Sequence, residues 1–222
     1  MTPYDDLAGA RAATAGLLDH LGTVRDLSGP SLLPGWTRAH VVAHLAGNAL
    51  SHVRMLDGCL AGEVRTQYAD NSARAAGIAA LAAVPAQADA EHAAAAATLE
   101  QRWAAMQAEH WERPVRWLDR GTAAAHTTVW SRWKEVEVHR VDLDAGYGPP
   151  DWPAAFARRL LAQLLARTDL PEMDVVTDDA VGTNGPRISG STAALAAWLS
   201  GRSDGRDLTV VGGALPDLPE WA

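Results

Sequence analysis

Residues 131–144, SRWKEVEVHRVDLD, make a charged stretch with two polar sides. On a helical wheel at about 100° per residue, Glu137, Arg140 and Asp144 fall on one side and Glu135, His139 and Asp142 on the other. A surface helix needs only one polar side, and the first group is expected to supply it by facing water. The second group is hemmed in by Val136 and Leu143 on one edge and Val138 on the other. Those apolar flanks belong against a core. A carboxylate and an imidazole one turn apart are therefore expected to point inward, where an ionised side chain has to be paired or bound to a metal. The stretch reads as one helix of a packed bundle, with Glu135 and His139 as the first functional candidates. The competing structural reading is an i,i+4 pair on an exposed, partner-facing surface.

The rest of the chain bounds what such a bundle can be part of. At 222 residues it fits one large domain or two modest ones and can bury a substantial core without disulfides. A formal charge of −8 argues against nucleic acid or an anionic membrane as partner, since both ask for a basic surface. The single cysteine, Cys59, excludes an intrachain disulfide and a cysteine-based zinc cluster, and suits a reducing compartment. The first residues lack a basic flank followed by an apolar run, and no stretch nears the roughly 18 apolar residues of a spanning helix. A soluble, cytoplasmic protein acting on small molecules is expected. All but one of the 19 basic residues are arginine, Lys134 being the exception; with the many alanines this accords with a GC-rich bacterial genome.

Working outward, helical spacing covers about residues 4 to 22, and Thr37 is a plausible N-cap for a second helix to about Leu56. An alanine-rich region from about Ser72 to Gln107 is interrupted near Pro85 and reads as two helical pieces. WERPVRWLDRGTAAAHTTV (111–129) reads as a loop or short extended pair before a helix from about Thr128 to Ala145. GYGPPDWP (146–153) marks a boundary by its glycines and prolines. Beyond it, a helix, strand-like MDVVTDD (173–179), a strand, tight turn and helix in PRISGSTAALAAWLSGR (186–202), and DLTVVGG (207–213) indicate a small mixed unit. The predicted fold class is α+β: a four-helix bundle over 1–147 followed by a small α/β domain over 148–222.

A metal site needs a third ligand. Of the eight histidines, His44 in WTRAHVVAHLAGNALSHV (36–53) shares a helix face with His40 and Asn48. Two histidines and a carboxylate from facing helices, with a position left for solvent or substrate, is the ligand set of a catalytic zinc site. Spacing alone also leaves His40 or His52 as the third ligand, and leaves His44 open to being an ordinary core histidine. Asp142 can orient a ligand from behind. Nucleophile-elbow, phosphate-loop and dinucleotide patterns do not occur.

LPGWTRAHVVAHLAGNA (33–49) together with RWKEVEVHRVDLDAG (132–146) resembles the mycothiol-dependent maleylpyruvate isomerases, whose N-terminal half is a DinB-like four-helix bundle. ISGSTAALAAWLSGRSDG (188–205) and the closing LPDLPEWA (215–222) are similar to that family's second domain and tail, so the resemblance covers nearly the whole chain. It implies Zn2+ on His44, Glu135 and His139, mycothiol, an actinobacterial thiol, as cofactor, and an activity-supporting arginine at Arg202. It also matches Arg74 to a family arginine, and Asn48, one turn beyond His44, is in reach of the site; both are candidate cofactor-binding residues. The implied activity is cis–trans isomerisation of maleylpyruvate, a substrate with carboxylates that an arginine can clamp. A mycothiol S-transferase acting on another electrophile, or a non-catalytic DinB-like metal-binding protein, are the alternatives.

Overall fold

The computed structural model describes residues 3–68, 72–118, 121–176 and 186–221. They divide into two compact units, Met1–Ala145 and Gly146–Ala222.

The first unit is built on α1 (Pro3–Leu21), α2 (Arg38–Ala61), α4 (Pro85–Ala105) and α6 (Thr127–Asp142), with α3 (Ser72–Ala82) laid against α2. The central element is α2, which packs on both α4 and α6, while α1 packs on α6. Thr37 caps its N-terminus, its Oγ1 accepting from the His40 amide at 3.4 Å while the Thr37 amide donates to His40 Nδ1 at 3.2 Å. The helix runs past Leu56 to a left-handed Gly62 (φ 75°), because Asp57 and Gly58 do not break it and Gly62 accepts the positive φ that stops it. Leu17, Leu45, Leu56, Leu99, Trp103 and Val136 are buried in the core. Pro85 starts α4 as an N-terminal proline does, and the alanine-rich region is two helices. A four-residue helix, α5 (Ala108–Trp111), and an antiparallel pair, β1 (Pro114–Arg116) with β2 (Thr122–Ala124), lead into α6.

Within α6 the expectation that Glu137 faces water is overturned: it is buried at 2% exposure. The side of the wheel given to solvent is where α1 packs, and Arg140 Nε reaches His20 of α1 at 3.4 Å. The helix also ends at Asp142, before Ala145, with Asp144 in a left-handed conformation at φ 50°.

The second unit holds α7 (Ala154–Leu165) and α8 (Thr192–Leu199) packed together, and a sheet ordered β3 (Asp174–Val176), β4 (Arg187–Ser189), β5 (Thr209–Val211). β3 and β4 are parallel, β4 and β5 antiparallel. Trp152, Phe156, Leu160, Ile188 and Leu195 form its core. Ser191 caps α8 by accepting from the Ala194 amide at 3.2 Å, the tight turn between strand and helix expected from SGST. The last three residues of MDVVTDD lie outside the described residues. An α+β chain, helical first and mixed second, is the observed class. Among the described residues no helix is long and apolar enough to cross a membrane.

Candidate metal centre

Two helices of the first unit supply the centre. His44 projects from the second turn of α2, and Glu135 and His139 from successive turns of α6, the i,i+4 spacing that puts both on one face. Each offers one ligand atom, and the three atoms lie within 4.8 Å of one another. His44 Nε2 is 2.9 Å from Glu135 Oε2, and His139 Nε2 is 3.6 Å from the same oxygen. Ligands about 2.0–2.2 Å from a tetrahedral ion are about 3.3–3.5 Å apart, so these separations bracket what a zinc-sized cation needs. The donor set, two imidazoles and a carboxylate, suits such an ion and leaves a coordination position open.

The surroundings set the protonation of the cluster. Burial raises the cost of ionising Glu135, but hydrogen bonds from His139 and His44 outweigh it and hold the carboxyl well below its usual range. Burial alone would depress His139; hydrogen bonds to Asp142 and Glu135 reverse this and push it up to about 9. For His44 burial wins over the Glu135 hydrogen bond, and its pKa is lowered. Two carboxylates around one imidazolium thus describe a pocket made to hold a positive charge, which a metal ion can supply in place of the proton. Asp142, 1% exposed, takes His139 Nδ1 at 2.8 Å and so aims Nε2 at Glu135.

His40 is occupied in capping α2, and His52 is fully buried with its ring against Trp117. Arg74 of α3 reaches His44 Nδ1 at 3.2 Å through Nη2 and lies over the Tyr68 ring. It borders two clefts of about 390 and 430 Å3, the second also lined by Trp36 and His40. Asn48 is in the core and accepts from Arg132 Nη1 at 2.9 Å. Arg202, in the second unit, donates to the Ser200 carbonyl at 2.7 Å, lies over Trp221 and lines a cavity with Asp204 and Arg206.

Sequence reasoning missed Trp36 and Arg132. Trp36 stands 5.8 Å from the His44 ring, and its position just before the Thr37 cap was the available signal. Arg132 has no exposed surface and lies three residues before Glu135 on α6, so the wheel that found Glu135 and His139 contained it.

A profile described as the mycothiol maleylpyruvate isomerase N-terminal domain matches residues 7–144. The structure is similar over 100% of this chain and 98% of the other to the crystal structure of the mycothiol-dependent maleylpyruvate isomerase, with a TM-score of 0.89 and 28% identity. A histidine-to-alanine mutant of that enzyme matches with a TM-score of 0.89 and 27% identity over the same shares. No curated protein sequence matches.

Proposed function

Because the chain belongs to the mycothiol maleylpyruvate isomerase N-terminal domain family, we propose that it is a cytoplasmic, zinc- and mycothiol-dependent isomerase converting maleylpyruvate to fumarylpyruvate. The observation that carries this reading is the His44, Glu135 and His139 cluster in a chain similar along its whole length to a structure of that activity.

Zinc held by His44 Nε2, Glu135 and His139 Nε2 would lower the pKa of a thiol at the open position, supplying a thiolate at neutral pH. Such a thiolate would supply the nucleophile for conjugate addition to the cis double bond of maleylpyruvate, and it would leave again as thiolate when the bond, having turned as a single bond, is re-formed trans. Asp142 keeps His139 in the tautomer that presents Nε2. Arg74 donates to His44 Nδ1, which requires that nitrogen to be the acceptor; once Nε2 is a ligand, Nδ1 carries the ring proton and no longer accepts. Arg74 is then free to bind a carboxylate or the thiol's polar body. Arg202 is proposed as the clamp for a substrate carboxylate, and Asn48 acts through Arg132 in positioning α2 against α6.

Purified protein should carry about one zinc per chain, and folded Glu135→Ala and His139→Ala variants should lose it; unchanged metal content in both would sink the centre. Maleylpyruvate absorbance should change only with mycothiol present. No turnover, but a stable mass adduct between mycothiol and another electrophile, would replace the isomerase with an S-transferase. Arg202→Ala should lose activity with zinc retained, and full activity in that variant would remove the clamp.

A further inference from the structure

Arg38 opens α2, where a cation is misplaced with respect to that helix's own dipole. Its guanidinium turns instead to the C-terminal end of α6, where a cation is favoured and the last carbonyls have no partner within the helix. Nε donates to the Leu143 carbonyl at 2.7 Å and Nη2 to the Asp144 carbonyl at 2.8 Å, a two-pronged grip on adjacent residues. Nη1 donates to the Asp26 carbonyl at 3.2 Å, which fixes the group from the loop before α2. The Leu32 amide of that loop donates to the Asp142 carbonyl at 2.9 Å. Three consecutive carbonyls at the end of α6 are thus held from outside the helix. They lie where the chain turns through a left-handed Asp144 (φ 50°), a conformation that glycine adopts with less strain. Gly29 completes the seat, since a Cβ there would lie 2.5 Å from Arg38 Nη1.

The end of α6 carries Asp142, the helix's last residue, whose carboxylate takes His139 Nδ1 at 2.8 Å. Helix ends fray, and this i,i+3 contact exists only while the final turn stays helical. We propose that Arg38 is a positioning residue of the metal centre: it grips the end of α6 so that Asp142 stays behind His139 and Nε2 stays aimed at the ion. The role rests on the His44, Glu135 and His139 centre and reaches the ion through Asp142 and His139. It needs the planar fork of arginine, because a lysine ammonium brings the charge but not two donors in fixed register with neighbouring carbonyls.

Zinc affinity of the full chain, measured by chelator competition on variants of matched helicity, tests this without depending on turnover. Arg38→Ala should weaken zinc by about tenfold, the lower end of what losing a partner behind a ligand costs. Arg38→Lys should stay closer to the alanine variant than to the parent. Gly29→Ala, which crowds Nη1 while leaving Arg38 and α6 intact, should weaken zinc in the same direction, and it carries the test if Arg38→Ala does not fold. In an Asp142→Ala background, where no carboxylate remains to be positioned, Arg38→Ala should cost less than about twofold. A merely structural arginine would lower the thermal midpoint, leave the zinc affinity of the folded chain alone, and give equal effects in both backgrounds. Unchanged affinity in Arg38→Ala and Gly29→Ala, or an equal loss with and without Asp142, overturns the role while the centre stands. A parent that holds no zinc removes the centre and the role together.

Discussion

At the residue scale, Asp142 and His92 show how the same helical core tunes two imidazoles in opposite directions. Asp142 was legible as an orienting carboxylate because it sits three residues after His139, and the 2.8 Å contact is what that spacing allows. Asp142→Asn keeps the shape and removes the charge, so zinc affinity should fall by about 10- to 100-fold, the usual cost of losing such a partner. Competition with a chromophoric chelator measures it, and an unchanged affinity would mean that Asp142 only packs. His92 is the converse: burial, then the Arg132 charge, bring its pKa down to about 3. The unfolded chain titrates near 6.5, so between about pH 6.5 and 3 it binds a proton that the folded chain refuses. This contribution to stability is whole above pH 6.5 and is lost progressively as pH falls towards 3. Between pH 7 and 5 the loss is on the order of 2 kcal/mol. His92→Gln should lose less stability than the parent over that interval in denaturant titrations, with other titrating groups common to both; equal losses would show that His92 is not the source. The depression at His92 was not legible beforehand, because a buried arginine is invisible to a reading that assigns charge to the surface.

At the element scale, the sequence reading succeeded where local chemistry decides and failed where packing does. The Thr37 cap and the Pro85 interruption were readable, since hydroxyl capping and the N-terminal preference of proline are local. The end of α2 was not, because Asp57 and Gly58 look like a terminator, yet α2 is the core helix and burial carries it to Gly62. Likewise the burial of Glu137 depends on α1 packing on α6, a pairing with no local signature. One glycine makes that pairing testable: a Cβ on Gly9 of α1 would lie 2.5 Å from the Trp133 ring of α6. Glycine-to-alanine inside a helix ordinarily stabilises by up to about 1 kcal/mol, whereas overpacking a ring costs about 1–3 kcal/mol. Gly9→Ala should therefore lower the thermal midpoint. A rise would mean that α1 can move away from Trp133 at little cost.

At the scale of the whole molecule, the candidate centre joins two helices that are 66 residues apart in sequence, from Ala61 to Thr127, only because the bundle folds, so a metal bound there would be linked to folding. Spacing offered a pair on α6 and a choice among histidines on α2, and only the family resemblance singled out His44; the helix packing that brings His44 to Glu135, with His40 spent on the cap, belongs to the tertiary structure. A ligand that binds only the folded state stabilises it by about 2.7 kcal/mol when present at a hundred times its Kd. If zinc is clamped by His44, Glu135 and His139, that stabilisation is expressed first where the ligands are attached. Amide exchange in α2 and α6 should slow on adding zinc to chelator-treated protein, while α7 and α8, which have their own core around Phe156 and Leu195, should exchange at unchanged rates. Slowing confined to α7 and α8, or absent from α2 and α6, would place the metal elsewhere.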